Sequence, residues 1–581
     1  MNKFGFIRVA AAVPTVAVAD TKTNCQHICS LIESAVDRQV SLLVFPDLCI
    51  TGSTCGDLFY HRLILEEAEE AVGEIADFCK GLPITVVIGA PVSAGGRPVN
   101  CSVVINDGQI LDSVPKGDNR IFEIDGACFS FESCPGSHIV VLPSSDAQDM
   151  SSGQRLRSNL RAASSIDACA YIYCNAGFGE STTDAVYSGY SAIMENGVIL
   201  AEGSWNSFEP QLTVADVDIQ LIEHERAGDE GFDDAVEDSV CISLLNPDTD
   251  FNRKLLRPAA ICNFDFSDEA LDMAATIQAT GLATRLSKIN CKKAVIGISG
   301  GLDSTLALLC TVRAFDRLSL DRKGIIGITM PGFGTSGRTK GNASALMDRL
   351  GISSREIDIT EACRRHLADI GHDGITQDTT YENAQARERT QILMDVANAE
   401  NAIVVGTGDL SELALGWCTY NGDHMSNYSV NASIPKTLVR AMTSRAAATD
   451  FSDKKTASIL HDIIATPVSP ELKGNGREIE QKTEDAIGPY ELHDFFIWNM
   501  IGSGFTPEKT LFLACSAFKG RFSKTEIKKW LGVFTGRFFS QQFKRSCAPD
   551  GPMVTPVSLS PRNGWNMPSD VSANLYKDNI R

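Results

Sequence analysis

The chain has 581 residues, 43% of them hydrophobic and 22% charged, with a formal charge of −21. That length exceeds what one hydrophobic core accommodates, so two or more domains are expected. The acidic balance argues against an extended nucleic-acid surface, which needs clustered Lys and Arg, but leaves room for a small anion held by local cations and backbone amides.

In chain order, "FGFIRVAAAVPTVAVAD" opens with an apolar strand and no signal-peptide pattern. Further strands are expected at "SLLVFP", "ITVVIGAP", "CSVVIND", "HIVVLP", "AYIYCN", "YSAIMEN" and "VILAEG", with helical spacing near 22–38, 62–79 and 154–168. Alternation followed by meanders suggests a layered α/β domain. A turn-rich stretch over 246–266 marks a boundary, so the expectation is a front domain over 1–250, a linker over 251–270 and a second domain over 271–581. A helix over 267–286 then leads to "KKAVIGISGGLDSTLALLCTV", and the strands "GIIGITMP", "REIDI" and "NAIVVGT" follow, each with a helical partner. That pattern predicts a doubly wound parallel sheet. Residues 480–543 read as helical, and the tail from Lys544 as extended. No apolar run is long enough to span a bilayer, and the 18 Cys show no paired metal spacing. A cytoplasmic protein with mostly buried thiols in a reducing compartment and no membrane partner is expected.

"GISGGLDS" (297–304) carries the clearest chemistry. Gly300 and Gly301 allow a tight turn and close backbone approach, and amides there and at the next helix start form a positive cradle for phosphates. Ser299 and Ser304 offer hydroxyls. Asp303 is acceptor-only, so beside a phosphate it calls for a cation, which argues for Mg²⁺. A Walker A loop would need Gly-Lys-Ser/Thr, which is missing. The loop resembles the PP-loop of ATP pyrophosphatases, which transfer AMP to an acceptor and release pyrophosphate.

With "MPGFGTSGRT", "YENAQARERTQILMDVAN", "VVGTGDLSELALGW", "VNASIPKTLVRAM", "TEDAIGPYELHDFF" and the tail "FKRSCAPDGPMVTPVSLSPRNGW", the second domain resembles NAD⁺ synthetases of the long, glutamine-dependent form. That resemblance implies an adenine nucleotide alpha hydrolase-like domain that amidates nicotinic acid adenine dinucleotide (deamido-NAD⁺). ATP serves as co-substrate and Mg²⁺ as cofactor. It places ATP against Gly297, Ile298, Ser299, Gly300, Gly301, Leu302, Asp303 and Ser304, with Thr407, Lys436 and Ser469. Mg²⁺ would lie on Asp303 and Glu412, and deamido-NAD⁺ against Arg387, Trp417 and Lys544. Asp303 and Lys436 are the expected catalytic pair. Met553 departs from the Lys usual in the tail. The implied assembly is a homo-oligomer, with octamers among long-form members.

The front domain resembles the nitrilase-like αββα sandwich that releases ammonia from glutamine with a Glu, a Lys and a Cys. Asp47 in "LLVFPDLCITG" stands where that family has Glu, and Ser53 where it has Tyr. One methylene less retracts the carboxylate by more than an ångström, and such misplacement costs ~100-fold. The expected match to the Lys is Ile124, with Lys116 assigned to a structural "PK". The Cys should end a strand and be followed by a helix. Cys134 leaves too few residues before His138 for that helix, so the nucleophile segment is expected to be deleted. These readings predict an inert glutaminase and a synthetase that uses free ammonia. Alternatives are ammonia from a separate amidase partner, Cys134 as a relocated nucleophile, or a non-enzymatic regulatory paralogue.

Overall fold

The computed structural model describes residues 2–95, 97–183, 185–227, 239–258, 264–334, 337–466, 483–562 and 564–580. The chain divides into two compact units, 1–259 and 260–581.

The front unit is built from two sheets. The first has six strands in the spatial order Gln211–Asp218, Phe6–Val13, Leu42–Val44, Thr85–Ala94, Arg97–Asn106 and Gln109–Pro115. The second has seven, in the order Val198–Glu202, Ser191–Glu195, Ala170–Asn175, Ile139–Ser144, Ala127–Ser130, Ile121–Ile124 and Ser239–Ile242. Alternation along a strand sorts its side chains. Leu42 and Val44 enter the core between the sheets with Val9, Phe122, Val141 and Ile172. Leu43 and Phe45 face the other way, onto Ile28, Ile32 and Ile75 of the helices Thr21–Asp37 and Arg62–Phe78. Both faces are covered, which is why the strand reads as a continuous apolar run. Leu160 of the helix Ser152–Ile166 covers the outer face of the second sheet against Val140 and Tyr171. The expected αββα sandwich is present.

Three expectations need correction. First, the stretch after Lys116, where no strand is expected, contains a hairpin, Ile121–Ile124 paired with Ala127–Ser130. Its turn, Asp125-Gly126, has φ of 49° and 87°, the left-handed pair that an Asp-Gly turn supplies. Second, nothing helical lies between Cys134 and His138, as expected, but the strand-to-helix step comes further along: the helix expected near 154–168, Ser152–Ile166, connects the parallel strands Ile139–Ser144 and Ala170–Asn175. Third, residues 251–258 belong to the front unit rather than to a linker. Arg257 binds the buried Glu195 at 2.5 Å, and the Leu256 amide donates to Asp216 at 2.6 Å.

The second unit holds a parallel sheet in the order Ser353–Glu356, Ile325–Thr329, Ala294–Gly297, Ile403–Gly406 and Tyr428–Ser429. The helices Asp268–Lys288 and Leu302–Arg317 pack on one face and Thr379–Glu400 on the other, so the doubly wound layout holds. The helical region expected over 480–543 appears as Tyr490–Phe496, Pro507–Ala517 and Lys524–Ser540, joined through Phe496, Phe518, Phe534 and Phe538. The tail from Lys544, expected to be extended, is mostly irregular but holds the short helix Asn574–Asp578, and it is pinned: Ser429 N donates to Asp550 O at 2.7 Å and Val554 N to Ser433 Oγ at 2.7 Å. No helix among the described residues is long and apolar enough to cross a membrane.

His493 lies at the centre of the helical layer. Its Nε2 donates to Ile487 O at 2.7 Å, while Nδ1 has no hydrogen-bond partner among the described residues. Burial lowers its pKa to about 4, because a proton on Nδ1 would find no acceptor. The unfolded chain therefore takes the proton first. The stabilising neutral form is fully present above pH ~6.5, and about 3 kcal/mol is lost as pH falls through that value towards 4. Urea melts followed by tryptophan fluorescence between pH 7 and 5 should show this slope, and His493→Gln should flatten it; equal slopes would contradict the assignment.

Candidate active site

Strands Ala294–Gly297 and Ile403–Gly406 are parallel neighbours, so their carboxyl ends deliver two loops to one place. The first loop runs from Ile298 through Gly301 into the helix Leu302–Arg317. Gly300 has φ +83°, and a Cβ there would lie 2.1 Å from Thr339 O, so only glycine fits. A Cβ on Gly301 would meet only Ser299 Oγ, at 3.2 Å, which leaves the loop's outer side open for close approach. Gly301 N donates to Ser299 Oγ at 3.1 Å, and Ser304 Oγ to Gly301 O at 3.1 Å. These bonds shape the turn and set the helix amides towards the opening.

The second loop passes Thr407 and reaches Asp409, whose Oδ1 accepts from Glu412 N at 2.8 Å and caps the helix Leu410–Leu415. Asn431 ties the loops together, donating to both Asp303 O and Thr407 O at 3.0 Å. Lys436 opens the helix Lys436–Ala448. Its Nζ lies 2.7 Å from Asp303 Oδ2, 3.0 Å from Asp409 Oδ2 and 3.0 Å from Glu412 Oε1. The backbone beneath is braced. Lys436 N donates to Ser411 Oγ, Ser411 Oγ donates to Asp494 Oδ1 at 2.5 Å, and Thr437 N donates to Asp494 Oδ2 at 2.9 Å.

Three carboxylates share one ammonium. Burial raises Glu412 to about 7 against the pull of Lys436, and raises Asp409 well above the usual carboxylate range. Burial also works to lower Lys436, but Asp303, Asp409 and Glu412 outweigh it and hold the amine well above its ordinary value. The cluster lacks positive charge. Asp303, Asp409 and Glu412 present oxygens within 4.8 Å of one another, and among the described residues neither Asp303 Oδ1 nor Asp409 Oδ2 has a hydrogen-bond partner. An all-oxygen set with an orphaned carboxylate oxygen suits Mg²⁺.

Arg387, Trp417 and Lys544 gather on one segment. Arg387 Nε donates to Tyr420 O at 3.3 Å, Lys544 Nζ donates to Gly416 O and Cys418 O at 2.7 Å, and the Arg537 guanidinium lies 5.1 Å from the Trp417 ring centre. Ser469 lies outside the described residues. Met553 is exposed. Asp409, Asn431 and Asp494 were missed from sequence. Asp409 had a signal, the Asp-x-x-Glu capping spacing of "DLSE".

In the front unit, Asp47 is buried and forms an ion pair with Lys116, the lysine assigned to a structural role. Ile124, expected at the family's Lys position, ends a hairpin strand inside the core, whereas Lys116 reaches Asp47. The physical reason is topological. Lys116 follows the edge strand Gln109–Pro115, and its amide bonds Asn100 O, which turns it towards Asp47. Burial raises the Asp47 pKa, with Lys116 and Asn100 opposing. Glu180 fixes the loop beyond Asp47, accepting from Ser53 N at 2.7 Å and Thr54 Oγ1 at 2.6 Å.

The strand that ends before the helix Ser152–Ile166 ends in Ser144. Tyr173 faces this region. Its hydroxyl donates to Ser144 Oγ at 3.3 Å, and its pKa is raised by burial and by the charges of Asp146 and Asp47. Cys134 lies before the opposite end of that six-residue strand. Cys49 and Cys174 feel the Asp47 charge, but burial pushes Cys49 up to about 12 and Cys174 well up, so neither supplies a thiolate.

A family model described as NAD synthase matches residues 275–512, and one described as Carbon-nitrogen hydrolase matches residues 8–120. The glutamine-dependent NAD(+) synthetase of Mycobacterium leprae is 35% identical, covering 99% of this chain and 98% of the relative. The chain belongs to the glutamine-dependent NAD(+) synthetase family. The Mycobacterium tuberculosis synthetase is 34% identical, with the same coverages. The alignment to the M. leprae synthetase runs over 666 positions against 581 residues here, so that synthetase carries segments this chain lacks. A solved synthetase from Cytophaga hutchinsonii is 19% identical, covering 99% of this chain and all of that one, with a TM-score of 0.44.

Substitution Gly300→Ala in the synthetase loop combines a strained φ with a clash against the Thr339 carbonyl. ATP affinity should fall at least ~10-fold. Calorimetric titration with ATP and Mg²⁺ reads this out; unchanged affinity would remove the loop from the nucleotide site.

Proposed function

We propose that this synthetase amidates deamido-NAD⁺ through an acyl-adenylate, using ATP and Mg²⁺ and taking its nitrogen from free ammonia. The observation that carries the first part is the Lys436 ammonium beside Asp303 and Glu412, at the mouth of a glycine loop. The nicotinate carboxylate attacks the α-phosphorus of ATP, and pyrophosphate leaves. Ammonia then attacks the activated carbonyl, and AMP leaves, giving the amide. Mg²⁺ on Asp303 and Glu412 would supply charge neutralisation on the phosphates. Lys436 and the amides of 299–304 stabilise charge that grows on the phosphate oxygens. Thr407 lies beside this cradle. Arg387, Trp417 and Lys544 line the segment proposed for deamido-NAD⁺. Excluding water matters, since water would hydrolyse the adenylate.

The relatives are named glutamine-dependent, and the front unit supports a different nitrogen source here. At the strand end where the family needs a thiolate, this chain has Ser144. A hydroxyl is far less acidic than a thiol and needs a well-placed base. Asp47 lacks the reach of glutamate and is already paired with Lys116. Two of the three catalytic positions are therefore changed and the lysine is retained, a smaller loss than the sequence suggested. Exposed Leu58, Tyr60 and Leu63 on this unit support a role in self-assembly.

With deamido-NAD⁺, ATP and Mg²⁺, ammonium should give NAD⁺, AMP and pyrophosphate, and glutamine should give less than ~1% of that rate, a loss on the scale of one misplaced catalytic group. Comparable rates would overturn the ammonia reading, and no AMP with either donor would overturn the synthetase reading. Because Lys116 remains, Asp47→Glu combined with Ser144→Cys should gain measurable glutamine hydrolysis, whereas Asp47→Glu alone should not. A glutaminase assay on the two variants decides it.

A further inference from the structure

Asp409 is the third carboxylate on the Lys436 ammonium, and the reaction as written gives it no role. Its surroundings differ from those of the other two. Asp303 and Glu412 each keep 22% side-chain exposure on the cleft side, whereas Asp409 is fully enclosed. Its Oδ1 is committed to the Glu412 amide at 2.8 Å, and its Oδ2 lies 3.0 Å from Lys436 Nζ, an ion pair without hydrogen-bond geometry. Behind the ammonium stands the ring of Tyr490, 5.1 Å away.

We propose that Asp409 is a positioning residue of the synthetase reaction, anchoring Lys436 across the nucleotide cradle while Asp303 and Glu412 turn to the cation. This rests on the proposed function. A divalent cation competes with an ammonium for the same carboxylate oxygens. Each oxygen drawn to the metal weakens one restraint on a flexible four-carbon side chain. Asp409 cannot follow, because turning its carboxylate to the cleft would break the cap on the helix Leu410–Leu415. It therefore remains the fixed partner and spares Lys436 the entropy of an untethered chain. The same cap sets Glu412 on the first turn of that helix, so one carboxylate orients both the proposed metal ligand and the lysine.

The test is a double-mutant cycle with ammonium as nitrogen donor: wild type, Asp409→Asn, Lys436→Gln and the pair, with kcat, KM and Mn²⁺ binding by electron paramagnetic resonance. Single-turnover measurements at high enzyme reach the slow variants. Asn caps a helix as well as Asp, so Asp409→Asn removes the charge and keeps the cap. Asp409→Ser, also a capping residue, serves if Asn does not fold. Asp409→Asn should lower kcat about 100-fold with KM for ATP within about 3-fold. In the Lys436→Gln background the same change should cost less than about 3-fold, because the group it positions is gone. Mn²⁺ affinity should stay within about 3-fold, while Glu412→Gln should lose it by ten times that factor or more. Additive costs in the cycle, an unimpaired Asp409→Asn, or a Mn²⁺ loss equal to that of Glu412→Gln would each overturn the inference. Wild type inactive with ammonium would instead overturn the proposed function itself.

Discussion

The second unit depends on keeping one ammonium buried among carboxylates. Lys436 Nζ touches Asp303, Asp409 and Glu412 within 3.0 Å, and its side chain is only 5% exposed. Removing such charges from water costs several kcal/mol per ion unless geometry and further hydrogen bonds compensate. Here the compensation is architectural. Two parallel strands bring Asp303 and Glu412 side by side, Asn431 joins their loops, and Asp494 with Ser411 holds the first turn of the lysine's helix. One ammonium does not balance three acids. The remaining deficit suits the cation proposed for this site.

The front unit has a charged pair of its own. Its sandwich keeps two layers of helix around two sheets, and Asp47 still emerges from a buried strand to face Lys116. A buried carboxylate without that lysine would be costly to leave charged, so the pair has a structural reason to persist. The loss of glutaminase reactivity proposed above is compatible with this fold, since serine and cysteine are close in size.

Much of this was legible in the sequence because it rests on local patterns. The glycine loop follows from motif and spacing, Lys436 and Glu412 enter only through the family resemblance, and the apolar runs locate most strands. What was less legible rests on topology. Asp-Gly announces the turn of the "IFEIDGACFS" hairpin, but it is the edge strand before Lys116 that turns this lysine towards Asp47. The helical pattern at 154–168 marks the crossover that follows Ser144, well beyond Cys134. Asp409 and Asp494 were missed because their roles are three-dimensional: one caps a helix beneath the lysine, the other braces a helix start from a distant segment.

The central claim is that nitrogen enters this synthetase as free ammonia. Supplying amide-¹⁵N glutamine and unlabelled ammonium together, then reading the carboxamide of the NAD⁺ formed by mass spectrometry, tests it most directly. The account predicts unlabelled product at every ratio of the two donors. A carboxamide that carries ¹⁵N before free labelled ammonium accumulates would contradict it.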